Sequence, residues 1–235
     1  MLLRLPRRTS AVAAISSPSS RPATGVNRHW SSSRECQKFA KTLSEEPFMK
    51  EIIRQIQAAV EIDPERSRIR LAGHEVAYHC EKFSTRIIRG LEDVLGVEEA
   101  NALIQQAASE SLYQPLTELS QAETNWANLT RSERLALIFE VFKILGYGAV
   151  TIAEANGNRT KVTSSNSYLA EGFFENAEQW RWSKRSAPFC HDMCGYLRAA
   201  FAVSDGVPLD RVTVKETTCR TMGAELCTFE VEVAQ

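Results

Sequence analysis

The chain has 235 residues, 43% of them hydrophobic, with 28 basic and 29 acidic side chains and a formal net charge of -1. That length suits one well-filled core, but the charge is uneven: residues 1–34 hold six arginines, eight serines and no acid, leaving 22 basic against 29 acidic side chains, about -7, for the remainder. An acidic body without a basic stripe excludes nucleic acid as a partner, and no apolar run is long enough for a membrane span.

Residues 1–34, with Leu2, Leu3, Leu5, Val12 and Ile15 set between the arginines, have the composition of a cleavable import presequence. Arg28-His29-Trp30-Ser31 resembles the arginine-at-minus-three cleavage pattern, which puts the mature N-terminus near Ser31 and the protein in mitochondria, with the plastid as the alternative. Residues 35–235 are expected to form a single domain. In a reducing matrix the six cysteines stay thiols, and the acceptor patterns at Asn128 and Asn158 are chance matches.

Ser44 caps a predicted helix in which Phe48, Ile52, Ile53, Ile56 and Val60 recur at helical spacing, ending near Asp63-Pro64. Ile69 to Tyr78 reads as a short extended segment. A helix through Phe83, Ile87, Leu91 and Leu95 follows, stopping at Gly96, and a further helical stretch from Glu98 to Leu119 contains Pro115, expected to kink or split it. Thr130-Arg131-Ser132-Glu133 is a capping box that opens a helix with an apolar face of Leu135, Ile138, Phe139, Phe142 and Leu145. Ala149 to Glu154 and Thr160 to Ser164 flank an Asn156-Gly157 hairpin signal. Residues 166–178 form a short helix. Pro188 then opens a helix with Cys190, Cys194, Leu197 and Phe201 on one face, and strands from Arg211 to Cys219 and from Leu226 to Val233 close a C-terminal hairpin around Met222-Gly223. The pattern is α+β: an antiparallel sheet from two hairpins with helices packed on it.

Cys194, Glu216, Cys219 and Cys227 form a C-x21-E-x2-C-x7-C set that joins this last helix to the hairpin. Thiolates and a carboxylate are zinc ligands, and four of them close a structural site. Glu216 and Cys219 are an odd number of residues apart, so both can ligate only if the strand bulges at Thr217-Thr218. Lys215 and Arg220 are available to offset the site's negative charge. The same cysteines would also serve as small buried hydrophobes. Cys190 and His191 are rival ligands, and Cys190, at a helix start, is the candidate reactive thiol. His74, His79 and Cys80 form a second cluster, read as structural. Neither a phosphate-binding glycine loop nor a nucleophile elbow is present.

Cys194-Gly195-Tyr196, Glu216-Thr217-Thr218-Cys219 and Gly223-Ala224-Glu225-Leu226-Cys227-Thr228-Phe229, in order and with their gaps, resemble the four-vinyl-reductase domain family. That family is related to the ligand-sensing domains of phenol-responsive regulators and to transport-particle subunits. The resemblance implies an internal pocket for a small hydrophobic molecule, a homodimer, and a zinc held by Cys194, Glu216, Cys219 and Cys227. Phe142, Tyr168, Phe173, Phe174 and Trp180, with Tyr147 and Trp182 nearby, are the candidates to line the pocket. The expected function is therefore a zinc-stabilised sensor or carrier. The alternatives are a reductase or thiol enzyme acting on a tetrapyrrole-like substrate, and an interaction subunit. The regulators' pocket uses a histidine, and the chain has none between Cys80 and Cys190. A reductase would also need an electron carrier, and the sequence carries no nicotinamide or flavin motif.

Overall fold

The computed structural model describes residues 50–51, 54, 58, 60–71, 74–77, 79–123 and 125–234. The predicted presequence and most of the helix predicted after Ser44 lie outside these residues. Three short strands come first: β1 (Val60–Asp63), β2 (Arg68–Leu71) and β3 (His74–Val76), paired antiparallel in that order. This small sheet is a correction to the sequence reading, which placed Val60 in a helix and a single extended segment after it. The β1–β2 turn spans residues 64–67 and closes with Ser67 at φ 52.

Two helices follow, α1 (Glu81–Leu95) and α2 (Val97–Ala122), hinged at Gly96, whose φ of 90 favours glycine. Pro115 sits inside α2 without splitting it. In α1 the buried side is Thr85, Ile88 and Glu92, so the Phe83 and Ile87 line read from the sequence as apolar turns toward solvent. Next is α3 (Arg131–Ile144), opened by the predicted capping box, with Thr130 and Glu133 each bonding the other's backbone N–H. Its Leu135, Ile138, Phe139 and Phe142 are buried as expected.

The main sheet is antiparallel in the order β4-β5-β7-β6, built from β4 (Val150–Asn156), β5 (Arg159–Ser164), β6 (Val212–Thr218) and β7 (Cys227–Val233). Both predicted hairpins are present, and they pair with each other through β5 and β7. Alternate residues Val212, Val214 and Glu216 face inward while Thr213 and Lys215 are exposed, so one face of the sheet is covered and the other is solvated. Between the hairpins lie α4 (Tyr168–Trp180) and α5 (His191–Asp205).

Nearly all of α5 is buried, and its most extensive helix partner is α2. A Cβ at Gly195 would stand 2.5 Å from the Gln105 carbonyl oxygen and 2.6 Å from Ala108 Cβ, so glycine is what lets the two helices come this close. Gly195→Ala should therefore cost about 1–3 kcal/mol by overpacking, read as a lower urea midpoint with an unchanged slope.

Candidate metal centre

Cys190, Glu216, Cys219 and Cys227 converge: one ligand atom from each lies within 4.8 Å of every other, and such a group could hold a metal ion. Three elements deliver them. Cys190 is the N-cap of α5, with φ -84 and ψ 55, so its side chain precedes the helical turn and projects toward the hairpin. Glu216 and Cys219 come from the end of β6, where the ladder pairs Glu216 with Phe229 and then Thr218 with Thr228, leaving Thr217 as the extra residue of a bulge. The bulge required by the odd spacing is thus present, and it turns both side chains inward. Cys227 opens β7.

The sulfurs are 3.6 Å (Cys190 to Cys227), 3.8 Å (Cys190 to Cys219) and 3.8 Å (Cys219 to Cys227) apart. All three cysteines are 0% exposed and Glu216 is 6% exposed. The Cys190 N–H donates to Glu216 Oε2 at 2.9 Å, while Glu216 Oε1 is buried without a hydrogen-bond partner. A buried carboxylate oxygen left bare is costly, and a Glu216 carboxylate oxygen lies within 4.8 Å of all three sulfurs, where a cation would satisfy the group. The donor set fits a metal. Around it, Thr221 Oγ1 lies 3.2 Å from Cys219 Sγ, and the Arg220 N–H donates to Cys227 Sγ at 3.4 Å. Ser164, whose Oγ is buried and unpaired, is the cross-strand neighbour of Cys227.

Without a cation the groups oppose one another's ionisation. Burial, then the adjacent Cys219, pushes Glu216 up to about 9, whereas hydrogen bonds from Cys190 and Cys227 hold Cys219 low. The Cys190 thiol is pushed up, first by burial and then by its bonds to Cys219 and Cys227. That corrects its reading as a reactive thiol: it is inaccessible and disfavoured as a free thiolate.

Cys194 is buried one turn along α5 and takes a backbone hydrogen bond from Glu216, but it is outside the group of four; Cys190 occupies the position that the sequence analysis gave it. Because α5 begins at His191 rather than near Pro188, Cys190 reaches the hairpin from before the helix. Lys215 is exposed on the solvated face of the sheet and does not balance the centre, and Arg220 pairs with Glu171 and lies over Phe174.

The second cluster separates: His74 bonds Glu118 at 3.0 Å, His79 stacks on Phe83 at 4.5 Å, and Cys80 is the exposed N-cap of α1. A network beside the centre was not anticipated from the sequence. Arg185 donates two hydrogen bonds to Glu92, at 2.8 and 2.6 Å, and His191 Nε2 lies 2.9 Å from the same carboxylate, all three side chains being at most 5% exposed. Burial acts to raise Glu92, but the bonds from His191 and Arg185 outweigh it and hold the carboxyl below its usual 4.5.

The five aromatics predicted to line a pocket fall into separate groups. Phe142 is fully buried against Tyr147 and Tyr196, which stack at 4.1 Å. Phe173 packs between Trp182 and Phe189, Trp180 leans on Trp182, and Phe174 is 45% exposed. Tyr168 adjoins the first group through its backbone, its N–H donating to the Tyr147 carbonyl at 3.1 Å, while its hydroxyl donates to the His79 carbonyl and lies 3.3 Å from Ser84 Oγ. A cavity of about 470 Å3 lies elsewhere, against α2 and α5, with Gln105, Ser109, Arg198 and Leu209 in its wall.

No family model and no curated protein matches the chain. Among solved structures, it is similar to the phenol-responsive sensory domain of the transcription activator PoxR with phenol: TM-score 0.64 at 16% identity, over 80% of this chain and 91% of that one. A trafficking protein particle complex subunit 3 from Naegleria fowleri, covalently bound to palmitic acid, aligns at TM-score 0.45 and 13% identity over 66% of this chain and 95% of that one. A vinyl-4-reductase family protein from Methanocaldococcus jannaschii aligns at 0.36 and 14% over 85% and 94%. The protein is thus an α+β domain with the fold of a ligand-sensing domain, the fold that the C-terminal sequence blocks implied, and it carries a buried cysteine and glutamate cluster.

Proposed function

We propose that this protein is a zinc-anchored domain that binds a small hydrophobic or amphipathic molecule, as sensor or carrier, and leaves it chemically unchanged. The observation that carries the metal half is the spacing of the sulfurs. Zinc–sulfur bonds of about 2.3 Å at tetrahedral angles put neighbouring thiolates about 3.8 Å apart, and the three here are 3.6–3.8 Å apart. Glu216 Oε1 supplies the fourth ligand. With no position left for water, the ion is structural: it ties the start of α5 to the β6–β7 turn.

The ligand half rests on the shared fold and on the aromatic groups around Phe142, Tyr168 and Phe173. Burial pushes the hydroxyls of Tyr147 and Tyr196 up, so both stay neutral donors suited to a polar group on an otherwise apolar molecule. A thermal-shift titration with phenol, indole and benzoate tests this. Binding to the folded state alone raises Tm with concentration, and Phe142→Ala should weaken that rise. A Tm indifferent to all three at millimolar concentration would remove the reading.

Residues 1–34 are, in this account, an import presequence. Fused ahead of a fluorescent protein they should direct it to mitochondria and be trimmed near Ser31; diffuse cytosolic fluorescence of an untrimmed fusion would contradict this. Among the described residues no helix is long and apolar enough to cross a membrane.

A further inference from the structure

We propose that the cleft between α2 and α5 is a binding site for a small zwitterion, an amino acid or a molecule charged like one. The cleft has a volume of about 470 Å3, in the range that holds small molecules, and it is separate from the aromatic groups on which the ligand reading above rests. On its α5 side stands Arg198, half-buried, whose Nε–H is shared between the carbonyl oxygens of Leu209 at 2.9 Å and Val212 at 3.1 Å. Those bonds hold the guanidinium in place. Its two terminal nitrogens take no partner among the described residues, and a guanidinium edge left open in a cleft matches a carboxylate.

The opposite charge borders the same cleft. Glu110 on α2 and Asp210, in the single turn Leu209–Arg211 that follows α5, are both exposed, and among the described residues neither makes an ion pair with Arg198 or another base. Gln106 donates to Glu110 at 2.9 Å and steadies that carboxylate. One cation and two carboxylates leave the lining net negative, which repels a phosphate or a simple carboxylate, while a simple amine would leave Arg198 unanswered. A zwitterion answers both, its carboxylate on Arg198 and its ammonium toward Glu110 and Asp210. Ala102 and Leu209 add apolar wall, which suits an aliphatic body.

Isothermal titration calorimetry of the purified full chain against leucine, isocaproate and isoamylamine, which share one aliphatic body and differ in their charged groups, tests the site. Leucine should bind at least about tenfold tighter than either analogue, and Arg198→Gln should weaken it by at least about tenfold. Arg198 also holds the backbone at Leu209, so a second variant keeps the test independent of folding. Glu110→Gln with Asp210→Asn, at exposed positions, should weaken leucine and tighten isocaproate, because the repulsion leaves with the carboxylates. Leucine bound no tighter than the analogues, or bound equally by the wild type and the Glu110→Gln, Asp210→Asn variant, would overturn the proposal. None of these outcomes depends on the metal or on the aromatic groups, so failure here leaves the titration with phenol and indole to be decided separately.

Discussion

Cys219→Ser is expected to remove the bound metal and with it the anchor between α5 and the C-terminal hairpin. Cys219 touches both other sulfurs of the group and Thr221, so a hydroxyl in its place leaves two thiols and a carboxylate, too few to close a tetrahedral site. A ligand present at a thousand times its dissociation constant stabilises by about 4 kcal/mol, and about 2–4 °C per kcal/mol applies at this chain length. Tm should therefore fall by on the order of 10 °C, and a strong chelator should lower the wild type by the same amount while leaving the variant unmoved. A Cys194→Ser variant separates the two helix cysteines: it should keep its metal, because Cys194 lies outside the group. Retention of metal by Cys190→Ser with loss in Cys194→Ser would reverse that assignment.

Glu92→Ala should be nearly as damaging, for a different reason. It leaves the Arg185 guanidinium buried over the Phe189 ring with its carboxylate gone. Removing one partner of a buried ion pair costs about 3–5 kcal/mol, whereas Glu92→Met with Arg185→Met removes both charges and should cost much less. A denaturant melt of the wild type and the two variants measures the difference. The pair also sets a pH dependence. Because the folded protein holds Glu92 below its usual 4.5, its contribution is complete above that value and is lost as pH falls through the lowered one. The wild type should thus lose more stability on acidification than the double methionine variant, in which Glu133 and the metal-binding cysteines still titrate. Equal acid sensitivity in the two would contradict this role.

The elements that carry strong local signals were legible in the sequence: the Thr130 to Glu133 capping box, the first hairpin at Asn156-Gly157 and the alternation of β6 and β7 all fold as read. So was the bulge at Thr217, since pleat geometry allows no other way for Glu216 and Cys219 to face one side. The choice between Cys190 and Cys194 was not. At a four-residue separation both lie on one helix face, and the ligand is decided by where α5 begins. That start depends on tertiary contacts of residues 181–189, among them the Arg185 N–H bond to the Thr221 carbonyl. The Glu92, Arg185 and His191 network was hidden for the same reason, because Glu92 is 93 residues from Arg185 and 99 from His191, and a loop arginine gives no local sign of being buried. The β1–β3 sheet was missed because four-residue strands give too short a pattern to tell from a helix end.

The most direct test of the central claim is metal analysis by native mass spectrometry, with element-specific detection, of the wild-type protein purified without added metal or chelator. This account predicts one zinc per chain, bound with loss of protons from the cysteines and retained through buffer exchange. A cooperatively folded, thermally stable wild-type protein that carries no metal would contradict it.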